Sequence, residues 1–596
     1  MQHAAYIEKG NVMNYYTNPI WNMDRTNSNL DNINSIINSV LINRGFKTEK
    51  VKQNFSAWGS HYSPIAMKDL RLGCTILDKK IADRKSIRIC SDYDVDGVSS
   101  AYLLYNGLSE IWSVYHDDGA KISVDIPNRV TDGYGLNVNM VEKACKDGID
   151  TIITCDNGIS SLEAVDKARE LNLTIIITDH HEPITDDTGK AILPTANAII
   201  NPHQPGCLYP FKGLCGAGVV YKILEQLYSM HNFSIDKNRD FMEILGLATC
   251  CDMMELIDEN REFVAKALSY MTDSSIPAIK ELISVMGKEG KPLTTYDFGF
   301  NIGPAINAAG RMDDARIALD FLLDKKSPQL REKAQELVLL NEERKRITNE
   351  GADKLKEEIL NSSLVDDKIL VCNGVGLHES VCGIVASRLK EFFARPVLVM
   401  TETEDGVLKG SGRSIPEYNL FENLNAHRDL FIKVGGHPLA AGFSIKKENL
   451  NTLRQVLNAE CRLSEDDIVP KIEVDCSFPL DLNSFELVNL LAELEPFGNG
   501  NRKPIFMAEN VTLSNFQVLG KSGNTLKFTA TDKTNRTNTC ISFDAKDILD
   551  ELSGSTSDIS GINNISKVFN ILFFPQINEY KGARTLQLLV SDVRAS

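Results

Sequence analysis

The segment IRICSDYDVDGVSS, residues 87–100, begins with an apolar run and continues into a loop that carries Asp92, Asp94 and Asp96. The run predicts a β-strand, and the loop after it predicts a cation site. Like charges a few ångströms apart repel strongly away from bulk water, and a divalent metal removes that repulsion. Carboxylate oxygens favour Mg²⁺ and Mn²⁺ as the ion. Taken alone, the loop also fits an acidic turn exposed to solvent.

Two further apolar runs end in polar clusters of the same kind. Residues 150–155 lead into Asp156, and residues 173–178 lead into an Asp-His-His sequence at 179–181. Unbroken β-branched runs are typical of strands buried on both faces, and helix-like sequence between them indicates a parallel sheet. Ligands of such sheets bind beyond the carboxyl ends of the strands. We therefore expect the three clusters to meet at one edge of the sheet.

A fourth acidic position, Asp252, follows the helix-like residues 241–248. Its carboxylate could complete a site at the sheet edge from another element of the fold. It could equally cap the preceding helix, and the sequence leaves both interpretations open.

The composition is that of an ordinary globular protein, with 43% hydrophobic and 24% charged residues over 596 positions, a length that requires several domains. No membrane association is expected, because no apolar run reaches the length of a membrane span and the N-terminus lacks the layout of a signal peptide. The 13 cysteines are scattered without a Cys-x-x-Cys pair, which favours a reducing cytoplasm. The net charge of −17 argues against a broadly basic surface for nucleic acid and gives weight to a small-molecule phosphoesterase.

The order of these motifs resembles the DHH phosphoesterase superfamily and, within it, the RecJ family of single-strand-specific exonucleases. Matching sequences run in the expected order along nearly the whole chain: DYDVDG at 92–97, IPNR at 126–129, DNGIS at 156–160, DHH at 179–181, GPAINAAGR at 303–311, GSGR at 410–413 and GGHPLAAG at 435–442. Small-molecule members of the superfamily usually carry a His in the first motif, where this chain has Asp92.

The resemblance implies a centre of two ions, Mn²⁺ or Mg²⁺. It assigns the ligand role to Asp92, Asp94, Asp96, Asp156, His180 and Asp252. Our hypothesis is that Asp156 bridges the two ions and that His180 binds through a neutral ring nitrogen. His181 and Asp179 are catalytic candidates. We expect His181 to contact the scissile phosphate, because adjacent residues on an extended segment point opposite ways, and Asp179 to shape the loop.

The resemblance also implies substrate-binding residues in the second half of the chain. Ser411 and Arg413 match positions that read a 5′ phosphate, in a predicted Gly/Ser loop that could otherwise be plain surface. His437 follows Gly435 and Gly436 in a second predicted loop, and glycines permit close approach of the backbone. All five residues, the two glycines included, are substrate-binding candidates, and His437 is also a catalytic candidate.

Three other positions complete the implied substrate-binding set: Arg129, Arg311 and His378. Either arginine could instead form a salt bridge between domains. Leu377 stands where RecJ proteins tend to have Trp, so a stacking or packing contact there is expected to be weaker.

We predict an α/β fold in five parts: an N-terminal helical accessory region (1–85), a parallel-sheet DHH catalytic domain (86–325), a connecting helix (326–363), a smaller α/β DHHA1 domain (364–460) and a C-terminal β-barrel (465–596). The charged residues 330–360 carry periodic Leu and Ile and predict one long helix, with Ser327 as its N-cap. Short alternating strands predict the barrel, and the resemblance implies that it is a nucleic-acid-binding OB-fold.

The resemblance implies a metal-dependent exonuclease that degrades single-stranded DNA from the 5′ end to 5′-mononucleotides, in DNA repair and recombination. Single-stranded DNA is then the main partner, a helicase and a single-strand-binding protein are candidate partners, and a monomer is expected. One alternative is a DHH phosphodiesterase of short oligonucleotides or cyclic dinucleotides, which the C-terminal barrel argues against. Another is an inactive scaffold, which would have lost metal carboxylates that this chain retains.

Overall fold

The computed structural model describes residues 20–23, 32–44, 61–129, 132–186, 188–403, 405–520, 523–553, 568–580 and 582–596. These residues form two compact units, one holding the described residues from 61 to 469 and the other those from 20 to 44 and from 470 to 596. Of the predicted N-terminal region, residues 1–19, 24–31 and 45–60 lie outside the described residues.

A five-stranded parallel sheet forms the centre of the first half of the first unit. Its strands, in spatial order, are Ile122–Asp125, Ile87–Ser91, Thr151–Cys155, Thr174–Thr178 and Ala198–Ile200. The predicted parallel sheet is therefore confirmed. The chain passes from strand Ile87–Ser91 to one neighbour and then crosses to the other side, to Thr151–Cys155. Such a reversal of winding opens a crevice at the carboxyl ends of these two strands.

Helices cover both faces of this sheet. They are Leu70–Ala82, Val95–Tyr115, Val138–Lys146, Leu162–Glu170, Gly216–Met230, Arg239–Cys251, Asp258–Met271, Pro277–Val285, Gly303–Met312 and Ala315–Leu323. The larger core contains Leu104, Leu108 and Leu224 on one face, and a second core contains Val141 and Val165 on the other. A π-helical turn, Phe298–Ile302, runs directly into the helix Gly303–Met312. Burial on both faces explains the unbroken apolar strands.

One helix of 31 residues, Leu330–Leu360, follows, as the sequence predicts. Its N-cap is Gln329, so the prediction of Ser327 as the N-cap is wrong. The Ser327 hydroxyl instead accepts a hydrogen bond from the Gln329 N–H at 3.1 Å, in a turn that precedes the helix. The helix packs against Gly303–Met312 and against Cys382–Phe393, and so connects the two halves of the first unit.

The second half of the first unit contains a mixed five-stranded sheet. Its strands, in spatial order, are Phe431–His437, Ala440–Lys446, Val407–Arg413, Val397–Glu402 and Leu370–Asn373, of which the last two are parallel. Three helices accompany it: Cys382–Phe393, Leu420–Ala426 and Leu450–Ala459. The prediction of loops at 410–414 and 435–437 is wrong, because the glycines at 410, 412, 435 and 436 lie in strands. A Cβ on Gly410 would lie 2.6 Å from the Phe443 ring, so this glycine makes room for a neighbour.

The second unit is a closed five-stranded barrel. The strands follow one another around it in the order Phe506–Leu519, Thr525–Thr531, Thr537–Ser542, Ala583–Ala595 and Val568–Tyr580, and the last pairs with the first. Short strands Cys476–Ser477, Lys471–Val474 and Ile20–Met23 and helices Ile33–Asn43, Phe485–Ala492 and Ala545–Ser553 accompany it. Phe528 and Phe573 fill its core. The predicted β-barrel is confirmed. In the described part of the chain, no helix is both long and apolar enough to cross a membrane.

Candidate metal centre and substrate clefts

The first acidic loop is fixed by the helix that follows it. Asp94 is the N-cap of the helix Val95–Tyr115, and its Oδ1 accepts hydrogen bonds from the backbone N–H groups of Asp96 (3.0 Å) and Gly97 (3.1 Å). A Cβ on Gly97 would lie 2.3 Å from the carbonyl oxygen of Asp92, so this close return of the chain requires glycine. The three carboxylates are thereby held within one turn.

Asp96 is held by a second helix. Its carboxylate accepts hydrogen bonds from the backbone N–H groups of Gly216 (2.6 Å) and Ala217 (2.8 Å), at the start of the helix Gly216–Met230. Free N–H groups at a helix start favour a nearby negative charge. Asn307 fixes the loop from a third element, because its Oδ1 accepts a hydrogen bond from the Val95 N–H at 3.0 Å.

Asp156, His180 and Asp252 converge on this loop from three other elements. Asp156 follows strand Thr151–Cys155 with a backbone φ of 62°, a left-handed conformation that Asp tolerates better than most residues. Nε2 of His180 lies 3.1 Å from Oδ1 of Asp156 and 3.6 Å from Oδ2 of Asp252. Asp252 is the C-cap residue of the helix Arg239–Cys251. It therefore ends a helix and also contributes its carboxylate to the cluster.

The cluster contains two adjoining groups that fit a pair of metal ions. Within each of these groups, ligand atoms lie within 4.8 Å of one another; one is Asp92, Asp94 and Asp156, and the other is Asp96, His180 and Asp252. A third group with the same spacing, Asp156, His180 and His181, overlaps both. Within this cluster, four buried atoms have no hydrogen-bond partner among the described residues: Oδ1 of Asp92, Oδ1 of Asp156, Nε2 of His180 and Oδ2 of Asp252. Buried polar atoms are otherwise almost always hydrogen-bonded. Carboxylates and one imidazole are a suitable ligand set for Mn²⁺ or Mg²⁺.

The electrostatics of the cluster agree with this interpretation. Burial, and after it the neighbouring carboxylates, raises the pKa of Asp92, Asp156 and Asp252 well above the usual range and the pKa of Asp96 to about 6. Burial also lowers the pKa of His180 to about 3. His180 is therefore neutral, as an imidazole must be to bind a metal. For Asp92, the nearby charges of His181 and Arg129 lower the pKa but are outweighed by burial and by Asp94.

Asp179 shapes the loop that holds the two histidines. Its Oδ1 accepts hydrogen bonds from the N–H groups of His180 (2.7 Å) and His181 (3.1 Å) and lies 2.7 Å from Nδ1 of His181. The two imidazole rings lie 4.4 Å apart, so the expectation that they point opposite ways is wrong. The strand ends at Thr178 and the chain bends after it, so the alternation of an extended segment does not apply.

A cleft of about 470 Å³, the first cleft, lies between the two halves of the first unit. Arg129, Lys409 and Lys433 line it, together with Ser411 and Gly435. Among the described residues, Arg129 is in no ion pair, and its guanidinium lies 4.9 Å from the centre of the Tyr93 ring. Lys409 forms an ion pair with Glu379 at 3.2 Å, and the lining keeps an excess of two positive charges. This excess makes the cleft a suitable site for a phosphate.

Arg413 and Arg311 lie beside the first cleft without a carboxylate partner in the described chain. Nη1 of Arg413 donates to its neighbouring carbonyl, Gly412 O, at 2.8 Å. Nη1 of Arg311 donates to the carbonyl of Ser380 at 3.1 Å, which joins the two halves of the unit by a hydrogen bond rather than by a salt bridge. His378 is exposed, caps the turn Glu379–Val381, and lies outside the described lining of both clefts.

A second cleft of about 620 Å³ is lined by His181 and Asp179 on one side and by Gly436 and His437 on the other. Tyr134 lines both clefts, and its hydroxyl donates to the Asp156 carbonyl at 3.1 Å. The structure thus brings His437 to the same cleft as His181. The sequence analysis assigned no role to Tyr134, which lies between the matching strings IPNR (126–129) and DNGIS (156–160).

Comparison with known proteins agrees with this organisation. The model of the DHH family N-terminal domain matches residues 86–249, that of the DHHA1 domain residues 366–463, and that of the RecJ OB domain residues 474–592. The single-stranded-DNA-specific exonuclease RecJ of Bacillus subtilis is 32% identical over 569 residues, which cover 95% of this chain and 68% of that protein. RecJ of Salmonella typhimurium is 30% identical, over 87% of this chain and 89% of its own.

Among solved structures, RecJ from Thermus thermophilus in complex with Mn²⁺ has the same fold. The TM-score is 0.77 at 23% identity, over 96% of this chain and 79% of the other. The three domain models occur in one chain, in the same order as the two sheets and the barrel, and the sequence similarity runs through all of them. This protein therefore belongs to the RecJ family.

Proposed function

We propose that this protein is a metal-dependent exonuclease that hydrolyses single-stranded DNA from the 5′ end, releases 5′-mononucleotides, and acts in DNA repair and recombination. The observation that carries the proposal is the pair of adjoining ligand groups at the sheet edge, beside a cleft with three cations. The substrate is inferred from the family, because the relatives are named single-stranded-DNA-specific exonucleases.

Asp92, Asp94 and Asp156 would hold one ion, and Asp96, His180 and Asp252 the other, with Asp156 between them as a bridge. Mn²⁺ or Mg²⁺ ions bound there would polarise the phosphodiester and activate the attacking water. The proposal leaves Asp179 outside the ligand set, because its oxygens are used by the loop and by Ile159 N–H at 2.9 Å.

His181 is the proposed donor to the scissile phosphate. Burial lowers its pKa, but the hydrogen bond and the charge of Asp179 outweigh burial and raise the pKa above the usual value. A cationic imidazole held by Asp179 can donate from its second ring nitrogen to a phosphate oxygen. His437, on the opposite side of the second cleft, is the proposed contact from the other half of the unit.

The 5′ end of the strand is proposed to occupy the first cleft. Arg129, Lys409 and Lys433 would neutralise the terminal phosphate, and Ser411 would donate a hydrogen bond to it. Arg413 lies beside the first cleft, close to Ser411, and would add its positive charge to the attraction of the terminal phosphate. A space of about 470 Å³ suits one terminal nucleotide better than a base pair, so the enzyme would select single strands by size.

We also propose the domain division, the role of the barrel, the partners and the location that the sequence predicts. The five-part division at 1–85, 86–325, 326–363, 364–460 and 465–596 is supported by the separate matches at 86–249, 366–463 and 474–592. The barrel would bind the strand, and a helicase and a single-strand-binding protein are the candidate partners of a monomer. Thirteen free cysteines support a cytoplasmic location.

The test uses one single strand labelled at either end and incubated with Mn²⁺ or with EDTA. The expected result is immediate release of the 5′ label as a mononucleotide, only with Mn²⁺ and not with the Asp156→Asn variant. Turnover of dinucleotides without cleavage of the long strand would place the protein among the small-substrate phosphodiesterases instead.

A further inference from the structure

The two ligand groups of the metal centre are contacted by one helix that belongs to neither. The first ligand group consists of Asp92, Asp94 and Asp156, and the second of Asp96, His180 and Asp252. The helix Gly303–Met312 packs against Val95–Tyr115, which follows the first acidic loop, and against Arg239–Cys251, which ends next to the second group. Its sequence, GPAINAAGRM, contains no Asp, Glu, His or Cys. The helix therefore supplies none of these ligands and acts on the centre through the segments that it contacts.

One contact of this helix reaches the first acidic loop through a side chain. Oδ1 of the half-buried Asn307 accepts a hydrogen bond from the Val95 N–H at 3.0 Å. Val95 is the first residue of its own helix, so its N–H is one of those that an α-helix leaves without an internal partner. Asp94 precedes Val95 in the chain, and Asp96 follows it. Asp96 is held separately at the start of the helix Gly216–Met230, so a displacement of Val95 should act mainly on Asp94.

Close backbone contacts hold both ends of the same helix. Near its C-terminal end, a Cβ on Gly310 would lie 2.6 Å from the carbonyl oxygen of Tyr93, within the first acidic loop. At its N-terminal end, a Cβ on Gly303 would lie 2.1 Å from Sγ of Cys251, the residue before Asp252. Real Cβ atoms do not make contacts this short, so both positions require glycine and the helix lies directly against both segments. The helix therefore fixes the distance between the first acidic loop and the segment that carries Asp252.

We infer that the helix Gly303–Met312 sets the separation of the two ligand groups and that Asn307 is the positioning residue of the first group. The inference rests on the two-ion centre of the proposed function, and it adds a structural requirement outside the ligand set. Groups that orient metal ligands without contacting the ion typically account for an about 10- to 100-fold difference in metal affinity. Loss of the Asn307 hydrogen bond should therefore weaken binding of the ion in the first group by about tenfold or more and leave the ion in the second group nearly unchanged.

The test measures Mn²⁺ binding to the full chain in the absence of substrate. Isothermal titration calorimetry gives the number and the affinity of bound ions, and electron paramagnetic resonance shows whether two Mn²⁺ ions lie close enough for their spins to couple. Asn307→Ala removes the acceptor, so one ion should bind about tenfold more weakly and the spin-coupled signal should decrease. Asn307→Asp keeps an oxygen that can accept from the Val95 N–H, so both ions and the signal should be retained. Wild-type binding of both ions by Asn307→Ala, or an equal loss in Asn307→Asp, would overturn the inference.

A backbone variant tests the same helix with the Asn307 side chain unchanged. Gly310→Ala would push the helix away from the Tyr93 carbonyl, although Ala normally stabilises a helix relative to Gly. The matched control is Gly299→Ala, in the π-helical turn before the helix, where nothing lies within 4 Å of the added Cβ. Gly310→Ala should weaken one ion and reduce the spin-coupled signal, whereas Gly299→Ala should do neither, and equal results for the two would contradict the inference. A wild type that binds fewer than two ions would instead reject the two-ion centre of the proposed function and, with it, this inference.

Discussion

At the scale of the residue, the carboxylates of the metal centre oppose folding when no metal is bound. Asp252 has a raised pKa because of burial first and Asp96 second. When the pKa of a carboxyl is higher in the folded state than in the unfolded state, the protein loses stability as the pH rises from the unfolded-state pKa to the folded-state pKa. Bound divalent cations would attract the same carboxylates. The residues that destabilise the metal-free protein are therefore the ones that favour metal binding.

Asp252→Asn should therefore stabilise the metal-free protein, and the advantage should grow with pH. The expected gain is about 1.4 kcal/mol for each pH unit between the unfolded and the folded pKa, because the neutral amide cannot ionise. Urea unfolding in EDTA at about pH 5 and pH 7 measures the difference in free energy of unfolding. Added Mn²⁺ should raise the Tm of the wild type more than that of the variant, which keeps the ligand group of Asp92, Asp94 and Asp156. A stability difference that is the same at both pH values would refute this account.

Arg413→Ala should reduce the preference for a 5′-phosphorylated end. The expected loss of preference is about tenfold, because a hydrogen bond to a charged group contributes roughly 1.5–3 kcal/mol. The measurement is the ratio of kcat/KM on phosphorylated and unphosphorylated strands. Lys446→Ala is the control, because its side chain lies in the same sheet and is 66% exposed. Equal losses on the two substrates would assign Arg413 a purely structural role.

At the scale of the element, the start of the helix Val95–Tyr115 depends on one glycine. Ala normally stabilises a helix relative to Gly by about 1 kcal/mol. At Gly97 the added Cβ would meet the Asp92 carbonyl at 2.3 Å, so Gly97→Ala should instead destabilise the fold and displace Asp92. Gly119→Ala is the matched control, because nothing lies within 4 Å of its Cβ. The free energy of unfolding measured in urea and the Mn²⁺-induced rise in Tm should both be smaller for Gly97→Ala than for the wild type. Neither should change for Gly119→Ala.

The sequence was most informative where one physical cause dominates. Strands Ile87–Ser91 and Thr151–Cys155 are buried on both faces, so their apolar β-branched runs predict both the strands and the edge where the acids meet. The long helix Leu330–Leu360 was predictable from its periodicity. Glycines misled the prediction at 410–414 and 435–437, because glycine breaks strands in general. Here Gly410 makes room for the Phe443 ring and Gly436 for the Ala440 carbonyl, whereas a Cβ on Gly435 would meet nothing within 4 Å.

Contacts between distant segments were beyond reach of the sequence. Tyr134 becomes a shared wall of two clefts only because its hydroxyl reaches the backbone of Asp156. The bend after Thr178 that brings the two histidine rings to 4.4 Å depends on the carboxylate of Asp179. Pairwise geometry of this kind has no periodic signature. The fold nevertheless brings together the six residues that the resemblance assigned to the metal centre, and their role as ligands stays a prediction.

At the scale of the whole molecule, a net charge of −17 coexists with a proposed polyanionic substrate. The resolution lies in the distribution of charge. Arg129, Lys409 and Lys433 are gathered in the first cleft, whereas the second cleft contains acids without a Lys or Arg in its described lining. A net negative charge opposes non-specific binding of DNA, so tight contact with the phosphate backbone at the catalytic site is expected where cations are gathered, in the first cleft.

This distribution predicts a shallow dependence of DNA binding on salt. About three phosphate contacts give a slope of about −2 in log affinity against log salt for a single strand, since each contact contributes about −0.7. Affinity should therefore fall roughly 15- to 20-fold between about 50 and 200 mM salt. Removing Lys409 and Lys433 together as alanines should reduce the slope by about 1.4. Fluorescence anisotropy of a labelled strand bound to the Asp156→Asn variant measures the slope without cleavage. An unchanged slope in the double alanine variant would mean that other cations hold the backbone, and the first cleft would then lose its proposed role.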